Sequence, residues 1–194
     1  MNKFEDALKD VQAFLKKQDV QYMIIGGIGN LVWGEPRLTV DIDITVQVSD
    51  VKERDFIKEV GSRFRILVDN PEDFVKKTRV LPIEISENVK GDIIFAGLDY
   101  EKKAIERAVE VEVSKNNRVR VCTAEDLIIH KALSEREKDW QDIEGILLRR
   151  GSLLDKKYIL NWLSQFVSAL DKPGIQKRFE ELWKKIVEID SSKK

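Results

Sequence analysis

Near the start of the chain, Phe4, Leu8, Val11 and Leu15 recur at helical spacing with lysines and acids between them, which predicts an amphipathic first helix that packs on a sheet. The pattern then shortens. "QYMII" (21–25) is a compact apolar run ended by Gly26 and Gly27, and residues 28–33 follow as a short helix, so the order is strand, glycine turn, helix. Gly34, Glu35 and Pro36 stop that helix, because proline lacks the amide donor and disfavours helical geometry at the residue before it. The chain then enters "TVDIDITVQV" (39–48), a run rich in β-formers.

Further along, "VKERDFIKEV" (51–60) has helical periodicity, "FRILVD" (64–69) predicts a strand, and "DFVKKT" (73–78) a helical turn after Pro71. "VLPIEIS" (80–86) and "GDIIFAG" (91–97) flank the polar "ENVK", as a hairpin or two neighbouring strands. A helix is expected over 99–108. "VEVEVS" (109–114) and "RVRVC" (118–122) flank "KNN", the pattern of a late hairpin. From Thr123 onward the periodicity is helical: in "TAED" Thr123 can cap and Asp126 can answer it, Gly151 and Pro173 with Gly174 separate later helices, and "SSKK" is a polar tail expected to fray. The expectation is an α/β (α+β) protein: a mixed β-sheet core flanked by helices over 1–122, followed by a C-terminal helical region over 123–194.

Composition narrows the function. The chain has 194 residues, 42% of them hydrophobic, enough for one large domain or one domain with a helical appendage. Charged residues reach 36%, yet the net charge is −1, so the chain as a whole is not built to bind nucleic acid electrostatically. A local basic face is left open by Arg149, Arg150, Lys156 and Lys157 and by Lys177, Arg178, Lys184 and Lys185; a solvated helix surface is the plainer reading. Cys122 is the only cysteine, so no intramolecular disulfide and no cysteine zinc cluster can form. No apolar run approaches the ~20 residues of a membrane helix, and the N-terminus shows neither a basic leader nor a cleavable apolar core. These features predict a cytoplasmic protein without a membrane partner.

The candidate chemistry lies in "DID". Successive strand side chains alternate between faces, so Asp41 and Asp43 share one face, their Cα atoms ~6–7 Å apart at a rise of ~3.3 Å per residue. Two half-buried carboxylates at that spacing repel unless a proton or cation intervenes, and Mg²⁺ is commonly held by one or two carboxylates plus substrate phosphates. The alternative is an edge strand with one wet face on which both aspartates are merely solvated. Asp is depleted in strands, which weighs against it. Asp92, opening another apolar strand, is either a turn residue after Gly91 or a third ligand; three such carboxylates can hold two metals ~3.5–4 Å apart for phosphoryl-type displacement.

Gly26 and Gly27 permit close backbone approach, and a helix starting there offers free N–H groups to phosphate, although a glycine pair is more often a plain turn. Neither a Walker A loop nor the dinucleotide fingerprint is present. Arg37 can reach a phosphate or be an ordinary loop arginine. Lys131 can neutralise phosphate charge or pair with Glu135 on the helix surface. Asp139 and Asp142 share a helix face and either position Lys131, Arg136 or a substrate amine, or form a solvated acidic face, the favoured reading. His130 reads as a packing or surface residue, and Trp33 and Trp140 as core rather than stacking platforms.

Taken together, Ile25, Gly26 and Gly27, the gap of thirteen residues, Asp41-Ile42-Asp43-Ile44, and the later "GDIIFAG" resemble the active-site pattern of the nucleotidyltransferase superfamily related to DNA polymerase β. "TAEDLIIHKALSEREKDWQDIEGIL" (123–147) is similar to the helical region of AbiEii-like and other minimal nucleotidyltransferases. The resemblance implies a nucleotidyltransferase core in which Asp41, Asp43 and Asp92 are catalytic and hold Mg²⁺ or Mn²⁺, Asp92 also helping to deprotonate the acceptor, with Gly26 and Gly27 near the phosphates of an NTP such as ATP. Arg37 and Lys131 complete the expected nucleotide-binding set. Many members carry Ser where this chain has Gly27, so a backbone contact alone is implied at that point. The implied acceptor is an RNA 3′ end such as tRNA, a protein or a small molecule, and the toxin-like relatives imply an antitoxin partner. The alternative is a noncatalytic nucleotide- or partner-binding module on the same fold.

Overall fold

The computed structural model describes residues 3–39, 41–114 and 117–188. The "SSKK" tail and most of the "KNN" turn lie outside these residues. The chain divides into two compact units, Met1–Ile28 with Leu38–Cys122, and Gly29–Arg37 with Thr123–Lys194.

The first unit is built on a mixed seven-stranded sheet in the order β3-β4-β5-β2-β1-β7-β6. The strands are β1 (Gln21–Ile24), β2 (Asp41–Gln47), β3 (Arg65–Ile66), β4 (Val80–Ser86), β5 (Val89–Phe95), β6 (Val109–Ser114) and β7 (Asn117–Val121). Helices α1 (Lys3–Lys17), α3 (Asp50–Arg63), α4 (Pro71–Thr78) and α5 (Asp99–Arg107) accompany them. β2 pairs antiparallel with β1 on one side and parallel with β5 on the other. It is therefore an interior strand, which corrects the edge-strand alternative, while the face that carries Asp41 and Asp43 keeps some access to solvent.

Alternation sorts the two faces of β2. Ile42, Ile44 and Val46 are fully buried, as are Ile83 of β4 and Ile93 of β5. α1 buries Leu8, Val11, Phe14 and Leu15 while leaving its charged residues outward, the expected amphipathic division. Phe14 meets Phe56 and Phe64 of the α3 region, and Phe56 stands edge-on to Phe95 with ring centroids 5.9 Å apart. The expected strand over 64–69 shrinks to Arg65–Ile66, paired with Glu84 and Ile83 at the sheet margin. Leu67 adds one bond to the Pro82 carbonyl before the chain turns into α4, whose first residue is Pro71.

The second unit contains α6 (Ala124–Ser134), α7 (Glu137–Arg150), α8 (Lys156–Leu170) and α9 (Gly174–Trp183), with a 3-10 turn at Gly151–Leu153 and a π turn at Lys184–Glu188. Thr123 caps α6 as expected, its Oγ1 accepting from the Asp126 amide. Asp126 goes further than a cap. It is fully buried and accepts from Thr123 Oγ1 and from the Tyr158 hydroxyl, both at 2.7 Å, which ties α8 to α6. Trp140 is buried, as a core residue, with the Arg178 guanidinium over its ring at 4.6 Å.

The boundary between units falls inside α2 (Gly26–Trp33). Residues Gly29–Arg37 join the C-terminal helices for local reasons: Asn30 Nδ2 donates to the Glu35 carbonyl at 2.8 Å, Arg149 donates to the Gly34 carbonyl, and Gly34 and Gly145 leave room for Ile146 and Glu35. Among the described residues no helix is long and apolar enough to cross a membrane.

Candidate active site

Parallel pairing of β2 and β5 sets Asp43 directly opposite Asp92, and Asp41 opposite Lys90. Directly opposed residues in a sheet project to the same face. The register therefore brings Asp41, Asp43 and Asp92 onto one face, where Asp41 is exposed and Asp43 and Asp92 are half-buried. The Ile25 amide donates to the Asp43 carbonyl at 2.9 Å, so the strand is held on both sides at the carboxylates. On the same face, pairing across β3, β4, β5 and β2 aligns Arg65, Glu84, Lys90 and Asp41 in one row of alternating charge.

The glycines are the first two residues of α2 rather than a turn ahead of it. Gly26 has φ +61°, and a Cβ built there would lie 1.8 Å from Asp43 Oδ2. The Asp43 carboxylate thus occupies the space a side chain would take at the N-terminal end of α2, where unpaired amides and the helix dipole favour negative charge. Gly27 is equally crowded, by Thr39 rather than by open space. Thr39 stands two positions before the aspartate pair.

Electrostatics marks the cluster as well. Burial raises the Asp92 carboxyl above the usual carboxylate range, and the charge of Asp41 raises it further. Carboxylates held close together are the environment a hard divalent cation relieves. Three carboxylates on one face are hard oxygen donors of the kind such a cation takes, although among the described residues no group of three or more acidic, histidine or cysteine side chains is already arranged to hold a metal ion. Ligands from substrate phosphate would complete the coordination, as is common for Mg²⁺.

The other two expected nucleotide contacts belong to the second unit and meet at one carboxylate. Arg37 forks onto Asp142, Nε to Oδ1 and Nη2 to Oδ2 both at 3.0 Å, while Lys131 Nζ lies 2.5 Å from Asp142 Oδ2 and 3.0 Å from Asp139 Oδ1. Ser134 Oγ and Arg136 Nε donate to Asp139 Oδ2. Asp139, Asp142 and Lys131 are all buried, so the solvated acidic face expected for 139 and 142 is corrected to an internal ion-pair network. Sequence spacing could show a shared face but not which way it turned. Burial pushes the Asp139 carboxyl up, but hydrogen bonds from Ser134 and Lys131, the lysine's charge and Arg136 outweigh it and leave the group lowered.

The basic clusters near the end are largely internally satisfied. Arg150 stacks over Trp33, Lys156 pairs with Glu188, Arg178 with Glu137 and Lys185 with Glu144.

Known proteins share this architecture. The antibiotic-resistance factor ANT(2'')-Ia has the same fold at TM-score 0.59 and 17% identity, over 86% of this chain and 94% of that one. The lincosamide antibiotic adenylyltransferase LnuA, solved with lincomycin, matches at TM-score 0.52 and 18% identity, over 75% and 98% of the two chains. An antigenic nucleotidyltransferase-like protein from Paracoccidioides brasiliensis matches at TM-score 0.52 and 14% identity, over 92% of each chain. At these identities the likeness shows the fold. No curated protein matches the chain. Residues 2–156 match the family described as "Nucleotidyltransferase of unknown function (DUF6036)", and with its fold and most of its length accounted for in this way, the chain belongs to that nucleotidyltransferase family.

Proposed function

We propose that the protein transfers a nucleoside monophosphate from an NTP to an acceptor hydroxyl and releases pyrophosphate, with Asp41, Asp43 and Asp92 as the catalytic carboxylates. The observation that carries this reading is the register of β2 on β5, which sets Asp43 opposite Asp92 with Asp41 on the same face beside the start of α2.

The three carboxylates are the hard oxygen donors that would hold Mg²⁺ or Mn²⁺, and the bound ion supplies charge neutralisation at the triphosphate. Asp92, with its raised proton affinity, is the group suited to take the acceptor proton as the acceptor oxygen bonds to the α-phosphorus and the bond to pyrophosphate breaks. Positioning and charge neutralisation suffice for this chemistry, so no covalent nucleophile is needed. Within the second unit Arg37 is assigned to its paired bonds with Asp142, and Lys131, whose side chain is 5% exposed, to holding Asp139 and Asp142 in place.

A small-molecule hydroxyl is the favoured acceptor. Support comes from the net charge of −1 and the internally paired cations of the C-terminal helices, neither of which suits a long polyanion. It also comes from the solved ANT(2'')-Ia complex with adenylyl-2''-tobramycin, a nucleotidylated small molecule on the same fold.

The test is incubation of the purified protein with each α-labelled NTP, Mg²⁺ and three acceptor pools: aminoglycosides and lincosamides, total RNA, and a protein lysate. Label should pass to one pool with stoichiometric pyrophosphate, and Asp43→Ala should abolish it. Equal background from both proteins with every pool would leave the transferase reading without support and favour the binding module.

A further inference from the structure

Gly27 is bordered in space by Thr39. A Cβ on Gly27 would stand 2.4 Å from Thr39 Oγ1 and 2.7 Å from Thr39 Cβ, distances that ordinary side chains never reach. The volume belonging to residue 27 is thus filled by a threonine delivered from the segment entering β2. Its hydroxyl lies at the first turn of α2, beside the position where Asp43 fills the space over Gly26. Thr39 is half-buried, and its hydroxyl donates to the Asp41 carbonyl at 3.2 Å, long for an O–H···O bond. Such a bond is weak enough to exchange for an anionic acceptor, and hydrogen bonds to charged groups are the stronger kind.

We propose that Thr39 contacts the triphosphate, its hydroxyl donating to a phosphate oxygen from the place a serine side chain at position 27 would occupy. Gly27 and Thr39 then form a matched pair: the absent side chain at 27 makes room for the hydroxyl at 39, and either change alone breaks the arrangement. This inference rests on the nucleotidyl-transfer reading and deepens it by naming a residue for the phosphate chain. It also removes the apparent weakness at Gly27, because the hydroxyl is present but comes from another segment.

Isothermal titration with Mg²⁺ and inorganic tripolyphosphate reads the phosphate contact without base or acceptor. Thr39→Val, which keeps shape and removes the hydroxyl, should weaken binding about tenfold or more, and Thr39→Ser should stay within about threefold of wild type. Gly27→Ser alone should bind poorly because it collides with Thr39. Combining it with Thr39→Gly, which removes the Cβ as well, should restore binding to within about threefold by supplying the hydroxyl from position 27.

Binding by Thr39→Val equal to wild type overturns the proposal. So does a folded double variant no better than Gly27→Ser, since Thr39 would then act only by tethering Asp41. Should the double variant fail to fold, the contrast of Thr39→Val with Thr39→Ser decides alone. If wild type binds neither tripolyphosphate nor any of the four NTPs and releases no pyrophosphate, the nucleotidyl-transfer reading itself falls, and this inference with it.

Discussion

Asp43 Oδ2 stands 1.8 Å from where a Cβ on Gly26 would be, so the catalytic candidate on β2 and the first residue of α2 exclude each other's side chains. Gly26 also has φ +61°, a conformation that any L side chain adopts under strain. Both constraints act on the same atom group. Gly26→Ala is therefore expected to push the Asp43 carboxylate away from the helix end, destabilise the fold by about 1–3 kcal/mol and reduce transfer at least a hundredfold. Urea denaturation and initial rates of pyrophosphate release check the two effects separately; a variant with wild-type rates would detach Gly26 from the site.

Asp92 makes stability and activity oppose each other. Its carboxyl is raised by burial and by Asp41, so folding favours its protonated form more than the unfolded chain does. That preference stabilises fully below the unfolded carboxylate value of ~3.9 and is lost as pH rises through the folded value. Asp92→Asn removes the penalty, and the ligand-free variant should melt higher than wild type at pH 7, the difference closing as the solution is acidified, while transfer is abolished. Melting curves at several pH values supply the check.

Asp139 titrates in the other sense. Its lowered carboxyl contributes stability above the unfolded value of ~3.9, and that contribution disappears as pH falls through the folded value. Asp139→Asn should abolish this acid-dependent part of the unfolding free energy. Lys131→Met should cost about 3–5 kcal/mol at pH 7, because it leaves Asp139 and Asp142 buried without their shared cation. Equilibrium unfolding of the single variants and of the pair measures the coupling, and a small loss for Lys131→Met would mean that Arg37 and Arg136 carry the network.

Ligand linkage gives a test that needs no acceptor. A nucleotide at a hundredfold excess over Kd adds about 2.7 kcal/mol to stability, which for a chain of this size raises the melting temperature by roughly 5–10 °C. Wild type with Mg²⁺ and the correct NTP should show that rise. Asp43→Ala should not, nor should wild type with EDTA.

How much of this was legible in the sequence differs between its parts. The helix over 3–17, the strand–glycine–helix order at 21–33, the hairpin of β4 and β5 and the Thr123 cap all follow from local chemistry: apolar spacing, proline and glycine geometry, and side-chain oxygen next to free amides. Alternation alone put Asp41 and Asp43 on one face, and their spacing after the glycine pair carried the family resemblance. What alternation leaves open is whether a strand is interior, which neighbour it takes and in what register.

Those were decisions of the tertiary structure. Pairing of β2 with β5 set Asp92 opposite Asp43, a relation between residues far apart in the chain that no local periodicity encodes. Burial of α7 against α6 turned Asp139 and Asp142 inward, where solvation is lost and only Lys131 and the arginines can compensate them. Packing around Gly34 and Gly145 drew residues 29–37 to the C-terminal helices. Composition and spacing determined which residues are available for chemistry and on which side of a strand each one points. The fold decided which of them meet, because register and burial depend on the whole set of contacts rather than on neighbours in sequence.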